Sequence, residues 1–124
     1  MYSQNLSVLV VERHVILRDA LCAAIASEPD LAVAGQVADS LAAMRIAAAI
    51  QPDIILLALE NPLLDMPVIQ SLRGMLPEAL ILVLTNSEML GEEQAALQNG
   101  AHAVVSKTAT YSDLFSTLRA LCQN

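Results

Sequence analysis

Residues able to bind ions stand beside apolar runs of this 124-residue chain. They are Glu12 and Arg13 after the first run, Glu60 after the third, Thr85 at the end of the fourth and Lys107 after the fifth. Carboxylates are the hard oxygen ligands that Mg²⁺ requires, whereas ammonium and hydroxyl groups can contact the oxygens of an anion. Binding chemistry of either kind requires that the fold bring these separate positions together.

Five apolar runs alternate with segments of helical spacing. The runs are Leu6–Val11, Leu31–Val37, Asp53–Leu59, Ala79–Thr85 and Ala101–Ser106. They are rich in Val, Ile and Leu and lack strict polar alternation, which is typical of strands buried on both faces. The intervening segments repeat apolar residues every three or four positions, as amphipathic helices do; the first helix is predicted over His14–Ser27 and the last over Tyr111–Cys122. A repeated strand–helix unit predicts an α/β fold with a five-stranded parallel sheet and helices on both faces.

The carboxyl ends of the strands are where ligands bind in such folds. That rule selects the residues after Val11, Leu59, Thr85 and Ser106. Asp39 and Thr110 are predicted helix N-caps, and the fourth helix, around Leu90 and Leu97, contains Gly91.

Composition excludes several classes of protein. At 56% hydrophobic and 15% charged residues, the chain is no disordered polymer, and two cysteines make no disulfide framework. A net charge of −7 provides no basic footprint for nucleic acid, and no apolar run approaches a membrane span. The N-terminus has no signal-peptide pattern, so we expect a cytoplasmic protein with Cys22 and Cys122 reduced.

Three segments carry a resemblance to a known family. They are His14–Leu21 (HVILRDAL), Gln51–Leu57 (QPDIILL) and Asn99–Ala101 (NGA), in register with the polar residues at the strand ends. Over essentially its whole length the chain resembles the CheY-like receiver domains of two-component response regulators, and most closely those preceding LuxR/NarL-type helix-turn-helix domains. The resemblance implies a flavodoxin-like fold with strand order 2-1-3-4-5 and one domain over residues 1–124. Any DNA-binding output domain would follow residue 124.

The resemblance also implies roles for particular positions. In the family, an acidic pair and an aspartate bind Mg²⁺, the aspartate accepts a phosphoryl group, and a hydroxyl and a lysine contact its oxygens. The acidic pair falls on Glu12 and Arg13, the phospho-acceptor on Ala58, the hydroxyl on Thr85, the lysine on Lys107, the switch aromatic on Val104, the loop positions on Glu60, Pro62 and Asp65, and a small turn residue on Met66.

Two of the positions that carry the family's chemistry depart from its pattern. Ala58 has no oxygen to phosphorylate, and Arg13 replaces a metal-binding carboxylate. With one acid against two cations, the four central positions (Glu12, Arg13, Ala58 and Lys107) carry a formal charge of +1 where the family carries −2. We therefore expect a pseudo-receiver that binds no Mg²⁺ and no other cofactor. We also expect at least one of two contacts, Lys107 with Glu12 or Arg13 with Glu60, which would hold the pocket in one state without phosphate.

The sequence predicts a phosphorylation-independent, non-enzymatic module of a bacterial transcriptional regulator. It would act by protein contacts or as a dimer through helices one and five or four and five, without binding nucleic acid or membrane itself. An alternative is a pseudo-receiver that senses a small anionic ligand in the vacated pocket. An enzyme or flavin carrier is disfavoured, because the loop after the first strand lacks the Gly, Ser and Thr residues of a phosphate cradle. Neither His14 nor His102 has a third ligand at metal spacing, so no metal site is expected.

Overall fold

The computed structural model describes residues 5–86 and 90–123. Strands and helices alternate along the chain as β1 (Leu6–Val11), α1 (Val15–Ala26), β2 (Leu31–Val37), α2 (Ser40–Ile50), β3 (Ile54–Ala58), α3 (Pro62–Met75), β4 (Leu80–Thr85), α4 (Leu90–Asn99), β5 (Ala103–Ser106) and α5 (Tyr111–Cys122).

The strands form one parallel sheet in the order β2-β1-β3-β4-β5. This topology confirms the predicted flavodoxin-like, CheY-like fold. The central strand β3 is buried along its whole length, whereas the edge strands β2 and β5 are partly exposed. The predicted runs overshoot β3, β4 and β5 by one or two residues. The largest error is at β5, because the amides of Ala101 and His102 bond to Ala96 and Ile81 before the ladder begins.

Side chains on the two faces of the sheet build two cores. One face packs against α2, α3 and α4, and includes Leu9, Ile55 and Leu72. The other packs against α1 and α5, and includes Ile25 and Leu118. Because alternate strand residues point to opposite faces, an uninterrupted apolar strand supplies both cores.

Helix starts follow the predicted capping chemistry. The side chain of Asp39 accepts a hydrogen bond from the Ala42 amide at 2.8 Å, and that of Thr110 accepts from the Asp113 amide at 3.0 Å. In α4, Gly91 lies in the first turn together with Glu92 and Glu93. These two carboxylates face the positive end of the helix dipole and so stabilise the helix. Their effect opposes the low helix propensity of Gly91.

Glycine is required at position 100, where α4 turns into β5. Gly100 has φ of 123°, and a Cβ there would lie 2.8 Å from Cγ of Arg73. Both the backbone conformation and the close side chain exclude a larger residue.

The end of the sheet away from the predicted site is closed by an ion-pair cluster. Arg119 of α5 binds both Glu28 and Asp30, in the connection between α1 and β2. The hydrogen bonds that Arg119 donates, first to Asp30 and then to Glu28, raise its pKa above the ordinary value. The cluster ties the last helix back to the first crossover. Within the described ranges, no helix is long and apolar enough to cross a membrane.

Candidate functional site

Main-chain hydrogen bonds gather the strand ends into one edge. The amide of Glu12 donates to Val37 at 3.1 Å, and the amide of Lys107 donates to Thr85 at 2.9 Å. Glu12 and Lys107 therefore lie at the same edge of the sheet, as the sequence predicts, and their side chains are in contact.

Glu12 is the centre of the site and is only 1% exposed. Its Oε1 lies 3.1 Å from Nζ of Lys107, and its Oε2 accepts from the His14 amide at 2.9 Å and contacts His14 Nδ1 at 3.0 Å. Burial alone would raise the pKa of Glu12, but the hydrogen bonds from His14 and Lys107 outweigh it and lower that pKa below its ordinary value. The predicted pair of Glu12 and Lys107 is confirmed.

Arg13 does not behave as expected. Its side chain is exposed, and no ion pair joins it to Glu60. Another arginine, Arg18 of α1, contacts the loop after β1 and donates to the main-chain oxygen of Glu12 at 2.9 Å. Of the two expected contacts, the one between Glu12 and Lys107 forms and the one between Arg13 and Glu60 does not.

Ala58 ends β3 and is 6% exposed. Its methyl group belongs to the core on the α1 and α5 side of the sheet. At this position the chain presents a hydrocarbon side chain with no oxygen.

Thr85 and Val104 are occupied by contacts within the fold. Thr85 is buried, and its hydroxyl donates to a carboxylate oxygen of Glu92 in α4 at 3.3 Å. Val104 packs against the core on the other side from Ala58, as expected for a packing residue.

Asp65 organises the loop after β3. Its buried carboxylate accepts from the Ser40 hydroxyl at 2.7 Å and from the amides of Glu60 and Asn61 at 2.8 and 2.9 Å. Ser40 is the first residue of α2, and no local sequence signal reveals its partner. Asp65 therefore joins two helix starts to the loop that carries Glu60.

Met66 does not lie in a turn, contrary to the expectation for this position. The helix α3 already begins at Pro62, which occupies its first turn, so Met66 is helical and packs in the core. Proline suits this position because its missing amide would have no partner there.

The two histidines have different surroundings. His14 caps the start of α1 through its backbone, without a side-chain cap bond. The ligand atoms of Glu12, His14 and Glu60 lie within 4.8 Å of one another, a proximity that spacing alone did not indicate. His102 instead accepts a hydrogen bond from the Ile81 amide at 3.0 Å, and burial lowers its pKa.

A small cavity of about 100 Å³ lies between α1 and α5, beside the pair of Glu12 and Lys107. Most of its other walls are apolar, with Leu17 and Leu21 on α1 and Leu114 on α5. Cys22 and Cys122 pack on this side of the sheet as free thiols, and burial raises the pKa of both. Cys122 is therefore packed against the fold at the end of α5.

The fold and the position of the site define a receiver-type signalling domain. The five-stranded sheet has the order of the CheY-like fold, and the polar residues lie at the carboxyl ends of β1, β3, β4 and β5. The model of the response regulator receiver domain family matches residues 8–119. The chain belongs to that family.

Curated relatives include two regulators of Bacillus subtilis (strain 168). The chain is 28% identical over 113 residues to the transcriptional regulatory protein YhcZ, and 26% identical over 114 residues to the transcriptional regulatory protein LiaR. It is also 31% identical over 104 residues to protein-glutamate methylesterase/protein-glutamine glutaminase 1 of Rhizobium johnstonii. These matches cover 90%, 91% and 82% of this chain but 53%, 54% and 30% of the relatives. The chain thus spans about half or less of these relatives.

Solved structures agree on the fold. The signal receiver domain of the response regulator NarL from Mycobacterium tuberculosis has a TM-score of 0.88 at 24% identity, covering 98% of both chains. A LuxR-family response regulator from Aurantimonas sp. SI85-9A1 has a TM-score of 0.87 at 24% identity, covering 95% of this chain and 85% of that one. The chain is a receiver domain with structural neighbours of the LuxR/NarL type. Receiver domains of transcriptional regulators are generally non-enzymatic.

Proposed function

We propose that this chain is a phosphorylation-independent receiver module, a pseudo-receiver, of a bacterial transcriptional regulator. The observation that carries the proposal is the ion pair of Glu12 and Lys107 in a chain whose residue 58 is alanine. In the family, the lysine contacts a phosphoryl group held by an aspartate at the position of Ala58. Here the lysine already has an internal carboxylate partner, so its position does not depend on phosphate. Such a module acts in the cytoplasm through protein contacts, without catalysis of its own.

The donor atoms at the site do not fit Mg²⁺. This ion demands near-octahedral coordination by hard oxygen ligands. Of the three family ligand side chains only Glu12 remains, and both of its oxygens have partners. Arg13 adds a positive charge and Ala58 removes a negative one, so both changes oppose a hard divalent cation.

The ion pair of Glu12 and Lys107 disfavours the alternative function, a sensor of small anions. Lys107 is the cation that would face such a ligand, and it is neutralised by a carboxylate 3.1 Å away. The small cavity beside it also carries the carboxylate of Glu12 on its wall. An anion would have to displace an internal ion pair and then lie beside the carboxylate it displaced.

The proposal is tested by phosphorylation from a small donor. Wild-type protein is incubated with acetyl phosphate and Mg²⁺, and intact mass is measured for an adduct of ~80 Da, the mass that one phosphoryl group adds. We expect no Mg²⁺-dependent adduct, because Ala58 offers no acceptor oxygen. A Mg²⁺-dependent phosphoryl adduct on the wild type contradicts the proposal.

Variants at the two altered positions provide the matched controls. Ala58→Asp alone restores an acceptor but leaves Arg13 beside the metal position, so we expect little adduct. Ala58→Asp combined with Arg13→Asp restores both carboxylates and should regain Mg²⁺-dependent phosphorylation. Equal labelling of the single and double variants would show that Arg13 does not oppose Mg²⁺ binding.

Protein contacts supply the output of the module in this proposal. Large apolar side chains are exposed on adjacent helices: Val15, Ile16 and Leu17 on α1 and Tyr111 on α5 are 58%, 83%, 47% and 46% exposed. We call these four residues the α1–α5 surface. We propose that the domain dimerises or binds a partner protein through it, with an α4–α5 surface as the alternative.

A further inference from the structure

We infer that Glu12, His14 and Glu60 form a binding site for a borderline divalent metal ion of the Zn²⁺ class. The juxtaposition that carries this inference is a buried carboxylate, an imidazole and a loop carboxylate whose ligand atoms all lie within 4.8 Å of one another. The ligand set differs from the family's magnesium ligands, because two of its three side chains, His14 and Glu60, do not occupy side-chain ligand positions of that site. The inference does not rest on the proposed function.

The ligand atoms of Glu12 and His14 are already about as far apart as two atoms that bind the same metal ion. Nδ1 of His14 lies 3.0 Å from Oε2 of Glu12. Two atoms that each bind Zn²⁺ at about 2.0–2.2 Å lie roughly 3 Å apart or slightly more. A metal would replace the proton that now bridges this contact, and that proton would leave to solvent.

The third ligand has the freedom to complete the site. Glu60 is exposed on the loop after β3, and Asp65 fixes the backbone of that loop through the Glu60 amide at 2.8 Å. The side chain can therefore move the short distance that coordination requires, while its backbone stays in place. Water would complete the coordination shell, as it does in zinc sites with three protein ligands.

The chemistry of the ligands selects the class of metal. An imidazole nitrogen suits Zn²⁺, Ni²⁺ and Cu²⁺, whereas Mg²⁺ prefers an all-oxygen set. Oε1 of Glu12 retains its ion pair with Lys107. The formal charges of Glu12, Glu60 and Lys107 sum to −1. The exposed side chain of Arg13, which follows Glu12 in the chain, offsets part of this charge. Nitrogen coordination, rather than charge, therefore provides the selectivity.

The consequence is a link between two loops. A metal held by these residues joins the end of β1 and the start of α1 to the loop after β3. The start of α1 carries Val15 and Ile16 of the α1–α5 surface. Metal binding would therefore connect the loop after β3 to the helix start that presents this surface.

The test compares metal binding in the wild type and matched variants. Zn²⁺ and Mg²⁺ are titrated separately, and binding is followed by calorimetry and by the rise in melting temperature that a native-state ligand causes. We expect Zn²⁺ to bind and Mg²⁺ at the same concentrations to cause no shift. His14→Ala and Glu60→Gln should each weaken Zn²⁺ binding at least about tenfold, since even indirect metal-site partners contribute 10–100-fold. Neither substitution removes a side-chain hydrogen bond that caps a helix.

Two controls separate this site from adventitious binding. Glu93→Gln removes an exposed carboxylate in α4 and should leave Zn²⁺ affinity unchanged. Cys22→Ala and Cys122→Ala, which remove both thiols, should also leave it unchanged. The inference is overturned if the wild type binds no Zn²⁺, if His14→Ala and Glu60→Gln bind Zn²⁺ as tightly as the wild type, or if removal of the two thiols abolishes binding. None of these outcomes depends on whether the domain accepts phosphate, because the phosphorylation assay contains no Zn²⁺.

Discussion

Glu12 keeps its charge in the interior because each of its carboxylate oxygens has a defined partner. One oxygen faces Lys107 and the other faces the backbone and ring of His14. A buried ion pair need not stabilise a protein relative to an apolar pair, but removing one member leaves an unpaired buried charge. Lys107 is 14% exposed, so it would lose its partner while largely shielded from water.

Glu12→Gln should therefore destabilise the fold by about 3 kcal/mol, the lower end of the range for breaking a buried pair, since Lys107 retains some solvent contact. Urea unfolding at pH 7 measures the change, with Glu78→Gln as an exposed control expected within about 0.5 kcal/mol of the wild type. Because the folded protein lowers the pKa of Glu12 from 4.5, its contribution is present above that pH. It is lost as the pH falls through the folded pKa, so the variant should lose less stability on acidification. A variant as stable as the wild type at pH 7 would contradict the role of the pair.

At the scale of elements, Asp65 connects the starts of two helices. Its carboxylate lies in the first turn of α3, where a negative charge faces the helix dipole, and it accepts the hydroxyl of Ser40 from α2. The same carboxylate holds the amides of Glu60 and Asn61, so one buried side chain sets the shape of the loop after β3.

Asp65→Asn should cost about 2–3 kcal/mol, because an amide has one acceptor oxygen for three donors and hydrogen bonds to a charged group each contribute roughly 1.5–3 kcal/mol. Ser40→Ala removes only one of those bonds and should cost about 1.5 kcal/mol, the lower end of that range. The midpoint of urea unfolding measures both. If the two substitutions have equal effects, the amide contacts of the loop contribute nothing.

The elements themselves could be predicted, because uninterrupted apolar strands and capped amphipathic helices are local patterns. The pair of Glu12 and Lys107 could be predicted as well, since parallel strands place both residues at one edge of the sheet. The bond between Ser40 and Asp65 could not, because it joins residues 25 positions apart through the packing of α2 on α3. The direction of Arg13 and the approach of Glu60 to His14 also depend on loop geometry that spacing does not encode.

At the scale of the whole molecule, the two ends of the sheet differ in chemistry. One end closes with Arg119 held by Glu28 and Asp30, which ties α5 to the first crossover. The other end holds the site and, next to it, the exposed residues of the α1–α5 surface. Because these ion pairs hold the far end of α5 to the first crossover, less freedom of that helix would be lost on association.

The α1–α5 surface should be self-complementary, as a two-fold dimer requires. Ile16→Lys places a charge where an aliphatic side chain 83% exposed in the monomer would be buried. Since burying such a side chain contributes about 1.5–3 kcal/mol, the dimer dissociation constant should rise at least about tenfold. Leu63→Lys is the matched control, because Leu63 is 90% exposed on α3, which packs on the opposite face of the sheet. Sedimentation equilibrium of both variants measures the effect: a monomeric wild type, or equal weakening by the two substitutions, would assign α1–α5 no role in self-association.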